Sequence, residues 1–171
     1  IISMAKTCGI LRKLDPSLLS LARELGELFE SNGGDLQMVG GSVRDLFLGR
    51  SPKELDLEVR GIPLDQCKDI IAQLYSCDEV GKSFGVLRIK GKPVEIALPR
   101  KEFKLGTGHK GFEVVVDPSL PFESAAARRD FTINAMSLNP INGELLDPFN
   151  GMHDLREKIL RHVGSAVVED P

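Results

Sequence analysis

Between Gly40 and Glu58 the chain reads GGSVRDLFLGRSPKELDLE, a stretch that holds paired glycines, an Arg-Asp pair and alternating carboxylates. Glycines inside elements and polar groups that become buried both destabilise, so this concentration points to a ligand. Gly40-Gly41 separate the apolar run LQMV from an apolar-periodic segment that begins at about Ser42. A strand–glycine turn–helix brings backbone N–H groups and the positive end of a helix around one point, which suits a phosphate. Arg44, in the first helical turn, adds a charge-assisted donor for the same anion. Standing alone, a Gly-Gly pair is more often a plain tight turn. The residues that follow tip the balance.

In KELDLE, Glu54, Asp56 and Glu58 alternate with leucines. Successive strand residues face opposite ways, so the carboxylates share one face at intervals of ~6–7 Å. Neighbours at that spacing can reach the same divalent ions, which sit about 3.5–4 Å apart in two-metal phosphoryl transfer. Mg²⁺ prefers a few carboxylates together with substrate phosphate oxygens. A solvated acidic face has the same pattern, and the phosphate cradle upstream favours the metal. Glu95 in PVEIAL is either a further carboxylate from a neighbouring strand or an exposed strand residue. A second dense site is AARRDFTINAM, where Arg128, Arg129, Asp130 and Asn134 stand among Ala, Phe, Ile and Met. The arginines suit a triphosphate and Asp130 a ribose hydroxyl. Standing alone, the segment would more often be a surface salt-bridge cluster.

The elements that must position these groups follow from periodicity. Asp15 as N-cap and Pro16 at the first helical position start a helix whose apolar residues Leu18, Leu19, Ala22, Leu25 and Phe29 form one face, closed by Gly33-Gly34. LQMV reads as a strand, SVRDLFLG as a short helix ending at Gly49, ELDLEVRG as a strand, and PLDQCKDIIAQLYS as an amphipathic helix. GVLRIKGKPVEIALPR is a hairpin turning at Gly91-Lys92, and KEFKLGTGHKG a basic, glycine-rich mobile loop. FEVVVDP is another strand, FESAAARRDF a helix, INAMSLNP with GELLDPF a closing hairpin, and GMHDLREKIL a last short helix. Residues 1–14 show no period and read as a loose extension. The order predicts an α/β (α+β) layer fold, a small mixed sheet backed by helices, with one main domain over 15–165.

Composition narrows the partners. Of 171 residues, 42% are apolar and 27% charged, which fits a soluble globular domain. A net charge of −3 and the absence of Trp argue against a generally basic or aromatic nucleic-acid clamp. Local basic clusters remain, at Arg100, Lys101, Lys104 and Lys110 and at Arg128-Arg129. Cys8, Cys67 and Cys77 have no metal-ligand spacing and read as reduced thiols, and His109, His153 and His162 are scattered. No apolar run approaches membrane-spanning length and no signal-peptide pattern opens the chain, so a cytoplasmic or organelle-matrix setting is expected, with no membrane partner.

VGGSVRDLFLGRSPKELDLEV resembles the catalytic signature of the tRNA nucleotidyltransferase/poly(A) polymerase family, in its class II CCA-adding branch. RRDFTINAM resembles the ribose-recognition motif of that family, LLDPFNGMHDL the stretch that follows, and VVEDP the opening of the motif that reads the nucleobase. Order and spacing agree from about Leu36 to Pro171.

The resemblance implies the nucleotidyltransferase palm and template-independent transfer from CTP or ATP to the 3′ end of tRNA. It implies that Gly40, Gly41 and Arg44 contact the incoming triphosphate and that Glu54 and Asp56 hold two Mg²⁺ ions. Arg128 and Arg129 meet phosphates or ribose, Asp130 and Asn134 shape that pocket, and Asp170 begins the set that reads the base. The loop Arg100–Gly111 matches a segment associated with switching from CTP to ATP.

Two departures stand out. Glu54 occupies a position usually held by Asp; the extra methylene shifts the carboxylate, and a misplacement of ~1 Å can cost ~100-fold in rate. The matched pattern stops after Asp170, so residues 166–171 read as the start of a helical neck and the chain as a head domain, with the neck, body and tail missing. Poly(A) polymerases tend to carry a Gly-Arg-Arg-Phe-like stretch where this chain has VGKSFGVLRI, which ranks that activity second. CC-adding or A-adding specialists stay open. So does a nucleotide-binding module whose catalysis has lapsed at Glu54.

Overall fold

Helix formation starts where the sequence sets it. In the computed structural model, which describes residues 4–80, 85–104 and 112–164, the Asp15 carboxylate accepts from the Ser17 amide at 2.8 Å and caps a helix over Pro16–Ser31. Its inner face, Leu18, Leu21, Ala22, Leu25 and Phe29, is buried. The helix closes through Gly33, at φ 85°, and the Gly34 amide donates to Phe29 O at 2.8 Å. The preceding residues are not loose. Met4–Leu11 forms a helix, α1, and Leu11 and Leu14 are 0% and 1% exposed within the main core. Eight residues that include Gly9 are too few for the period to show, and it is packing onto the next short helix that orders them.

With α2 the Pro16–Ser31 helix, the chain continues as β1 (Asp35–Val39), α3 (Gly41–Phe47), β2 (Leu55–Arg60), α4 (Leu64–Ile71), β3 (Cys77–Val80), β4 (Val86–Ile89) and β5 (Val94–Ala97). Then come β6 (Arg100–Lys104), β7 (Phe112–Val116), α5 (Phe122–Ala126), a 3₁₀ turn (Thr132–Asn134), β8 (Ser137–Leu138), β9 (Leu145–Leu146) and α6 (Gly151–Glu157). Seven strands form one mixed sheet in the order β3-β4-β5-β2-β1-β8-β9, and β6-β7 form a separate ribbon. Within the larger sheet β2 and β5 run parallel, and the remaining neighbours are antiparallel.

Alternation sorts the two faces. Leu36 and Met38 of β1 pair with Val59 and Leu57 of β2, and Leu55 and Leu57 pair with Val94 and Ile96 of β5. All of these are at most 3% exposed and share a core with α2 and with Cys67, Ile70 and Ile71 of α4. The opposite face carries Gln37, Asp56, Glu58, Arg60 and Glu95.

Three expected boundaries move. The helix expected through Ser76 ends at Ile71, because Leu74 is 48% exposed and Cys77–Val80 is used as an edge strand against β4. The helix expected through Phe131 ends at Ala126 and frees Arg129 and Asp130 from helical geometry. The stretch expected as a mobile loop is a strand over Arg100–Lys104, paired with β7, while 105–111 lies outside the described residues.

The C-terminal helix is pinned to the rest at one glycine. A Cβ on Gly151 would stand 2.3 Å from the carbonyl oxygen of Thr132. Backbone cannot yield as a flexible side chain does, so Gly151→Ala is expected to lower stability by about 2 kcal/mol in urea unfolding, and a loss below ~0.5 kcal/mol contradicts this contact.

Candidate active site

Parallel pairing of β2 with β5 sets Asp56 beside Glu95, and β4 sets Arg88 beside Glu95 in turn. Glu54 lies just before β2, anchored by the Leu55 amide donating to Pro93 O at 2.9 Å. Glu54, Asp56, Glu95, Arg88 and Lys92 line an open cleft of about 290 Å³. An adjoining cavity of about 260 Å³ is lined by Asp56, Glu58, Glu95, Arg100, Arg128 and Arg129. Asp56 and Glu95 belong to both.

Electrostatics at Asp56 are unfavourable in the free protein. Partial burial pushes its carboxyl above the usual range, Glu95 and Glu54 push it further, and Arg129 opposes them. Glu95 is ion-paired with Arg88, whose Nε lies 3.1 Å from its carboxylate. The expectation that Glu54, Asp56 and Glu58 share one strand face as a row of available carboxylates is corrected in part. Asp56 and Glu58 share a face, but Glu58 is only 7% exposed and is ion-paired with Arg60.

The two dense motifs meet in space. Gly40 has φ 71°, open to glycine and strained for other residues, and a Cβ there would stand 3.2 Å from Arg129 Nη1 and 4.0 Å from Asp56 Oδ2. Arg129 therefore lies between the glycine turn and the acidic strand. Arg44 folds back beside Gly41 and donates from Nη1 to Asn134 Oδ1 at 2.8 Å. Asn134 donates in turn to Asp130 Oδ1 at 3.1 Å. That bond, followed by the Phe131 amide and the charge of Arg129, holds the Asp130 carboxyl below its usual range. Arg128 donates to Arg100 O at 2.5 Å and lines the cavity. Asp170 lies outside the described residues.

Sequence reasoning named Arg100 only as part of a basic, loop-bearing stretch, and it missed two further contributors. Arg100 enters the cavity from β6, a segment read as loop. Arg60 reaches Glu58 from two residues along the same strand, and one strand's alternation carries no sign of the pairing. Asp154, 2% exposed, accepts from Thr132 Oγ1 at 2.7 Å and Arg161 Nε at 3.0 Å and so backs the turn that bears Asn134. No spacing rule points to it.

Residues 36–161 match the family described as the poly A polymerase head domain. The chain belongs to that family. Within it, the chain is 43% identical over 136 residues to the "Multifunctional CCA protein" of Xanthomonas campestris pv. campestris (strain B100), covering 80% of this chain and 32% of that protein. The protein of the same name from Nitrosococcus oceani is 45% identical over 137 residues, again 80% and 32%. The chain thus spans about a third of the length of these relatives.

Among solved structures, "CCA-adding enzyme apo form II" superposes with a TM-score of 0.78 at 28% identity, covering 95% of this chain and 38% of that one. The Bacillus stearothermophilus CCA-adding enzyme in complex with CTP gives a TM-score of 0.68 at 29% identity, covering 89% and 35%. The Thermotoga maritima CCA-adding enzyme complexed with tRNA gives 0.72 at 28%, covering 98% and 38%. The head domain therefore has the mixed α/β nucleotidyltransferase fold of CCA-adding enzymes.

A raised carboxyl has a definite sign in stability. Asp56 stabilises the folded state while protonated, and that contribution is lost as pH rises through its raised folded value. At neutral pH the ionised group opposes folding, so Asp56→Asn is expected to raise the urea midpoint of the Mg²⁺-free protein. A lowered midpoint contradicts the crowding of charge around Asp56.

Proposed function

We propose that the intact protein is a template-independent nucleotidyltransferase that adds C and A residues from CTP and ATP to the 3′ end of tRNA. The observation that carries this reading is the convergence of an under-compensated carboxylate row with a cationic seat at a glycine turn, at Asp56, Glu95, Arg129 and Gly40. In the reaction, the 3′-hydroxyl of the RNA attacks the α-phosphorus. A P–O bond forms, the α–β phosphoanhydride breaks, the hydroxyl proton leaves and pyrophosphate departs. Arg129 and the Gly40-Gly41 turn hold the triphosphate, with Arg128 at the cavity wall. The Arg44–Asn134–Asp130 chain fixes the ribose end.

The carboxylates fit a divalent cation. Among the described residues no three His, Cys, Asp or Glu side chains cage a metal by themselves, as suits an ion held by one or two carboxylates plus substrate phosphates. Two Mg²⁺ ions bound by Asp56 and Glu54 would supply charge neutralisation at the attacking and leaving oxygens. Glu95, held by Arg88, keeps the local field negative. In the named relatives about two thirds of the chain lies outside the matched region, and we assign the grip on tRNA to counterpart domains there and the reading of the base to a set that begins at Asp170. A cytoplasmic site of action goes with that substrate. Among the described residues no helix is long and apolar enough to cross a membrane.

The test uses the intact protein, a tRNA lacking its terminal CCA, Mg²⁺ and labelled CTP and ATP, alone and together. Addition of two C and one A is the expected outcome, and Asp56→Ala is expected to lower kcat about 10²–10³-fold. Glu54→Asp run alongside decides the standing of the longer carboxylate. If it changes little, Glu54 is a working ligand. If activity arises only with Asp at 54, the site is a nucleotide-binding module disabled at that position. A-tails on unrelated RNA with ATP alone would move the assignment to poly(A) polymerase.

A further inference from the structure

We propose that Glu58 is a positioning residue for Arg129: it holds the guanidinium over the glycine turn and off the metal-binding carboxylates. The proposal rests on the nucleotidyl-transfer reading of the site. Glu58 lies one strand step from Asp56 on the same face, and it is 7% exposed, where Asp56, though partly covered, keeps an exposed edge. Its Oε1 takes the Nη2 donor of Arg60, and its Oε2 faces Arg129 Nη2 at 3.8 Å. The carboxylate is thus shared between two guanidiniums, with its orientation set from the Arg60 side.

Arg60 is itself firmly held. Its Nε donates to Leu120 O at 3.2 Å, its guanidinium carbon lies 4.9 Å from the centroid of the Phe122 ring, and the residue is 9% exposed. Burial pushes its pKa down, Glu58 and Asp35 push it back up, and Arg129 adds a further downward push. Its Nη1 is buried without a hydrogen-bond partner among the described residues. This is a poor way to stabilise a sheet, because an apolar pair of similar volume is often as stable as a buried ion pair or more so. What the pair adds is direction. Leu120 and Phe122 fix Arg60, Arg60 fixes Glu58, and Glu58 presents its free oxygen to Arg129.

The alternative resting place for Arg129 is Asp56, whose carboxylate already feels its charge. Were Arg129 to close on Asp56, one cation would cancel the charge that a divalent ion needs and would vacate the triphosphate seat beside Gly40. Glu58 competes for the guanidinium at a distance long enough to leave it free for phosphate. With two guanidiniums to one carboxylate, the cluster keeps one positive charge in excess for the anion.

The experiment compares intact wild type with E58Q, the double variant E58L/R60M, which replaces the buried ion pair by apolar side chains, and R129A. CTP binding is measured by calorimetry with and without Mg²⁺, alongside KM, kcat, the Mg²⁺ concentration for half-maximal rate, and the urea midpoint. Both E58Q and E58L/R60M are expected to bind CTP ~10-fold more weakly and to need several-fold more Mg²⁺, with kcat within ~2-fold of wild type. The urea midpoint falls in E58Q and recovers in E58L/R60M. If E58L/R60M matches wild type in CTP binding and Mg²⁺ requirement, Glu58 serves only to balance Arg60 and the proposal is overturned. If R129A binds CTP as wild type does, the triphosphate seat itself is misassigned, a failure of the underlying reading that the other variants do not mimic.

Discussion

The site depends on the parallel register of β2 and β5, which forces Asp56 and Glu95 side by side on the sheet. Like charges directly opposite one another destabilise a strand pair, so this register would not be chosen for its own sake. It is imposed from the other face, where Leu55, Leu57, Val94 and Ile96 are at most 1% exposed against the helices. A slip of one residue would turn those side chains to solvent and bring carboxylates into the core. The apolar face thus holds in place an acidic row in which partial burial and the neighbouring carboxylates oppose the ionisation of Asp56.

Around this row the chain arranges cations at different distances. Arg88 is committed to Glu95 on the next strand, Arg60 to Glu58 beneath the surface, and Arg129 stands between Glu58, Asp56 and the Gly40 turn. The first two are structural charges that fix local geometry. Arg129 is left with a long ion pair and an exposed flank, the condition of a group that can still bind an anion. A triphosphate with its cations would complete both sides at once.

The two sequence motifs are joined by hydrogen bonds rather than by chain proximity. Arg44 reaches Asn134 across 90 residues of sequence, and Asn134 reaches Asp130. Behind them, Asp154 receives Thr132 and Arg161, and the Thr132 amide donates to Arg161 O at 2.9 Å. The turn that bears the second motif is therefore held from the front by α3 and from the back by α6 and the segment after it. Loss of either support would loosen a turn that Ala126, the last residue of α5, no longer constrains.

Local patterns in the sequence determined the elements whose signals are short-range: the Asp15 cap, the apolar face of α2, the glycine turn at Gly40 and the alternation of β2. They also exposed both motifs, because each is a run of a few consecutive residues, and with them the resemblance to the family. What they left undetermined depended on partners far along the chain. Residues 4–14 form ordered structure only because Leu11 and Leu14 have a core to enter, and Cys77–Val80 and Arg100–Lys104 are strands only because β4 and β7 pair with them. Alternation placed Glu58 beside Asp56 but could not say which charge would be buried. Tertiary structure decided that, by laying Leu120, Phe122 and Arg129 over one end of β2 and leaving the other end open. Burial is a property of what covers a strand, and a strand's own sequence does not contain its cover.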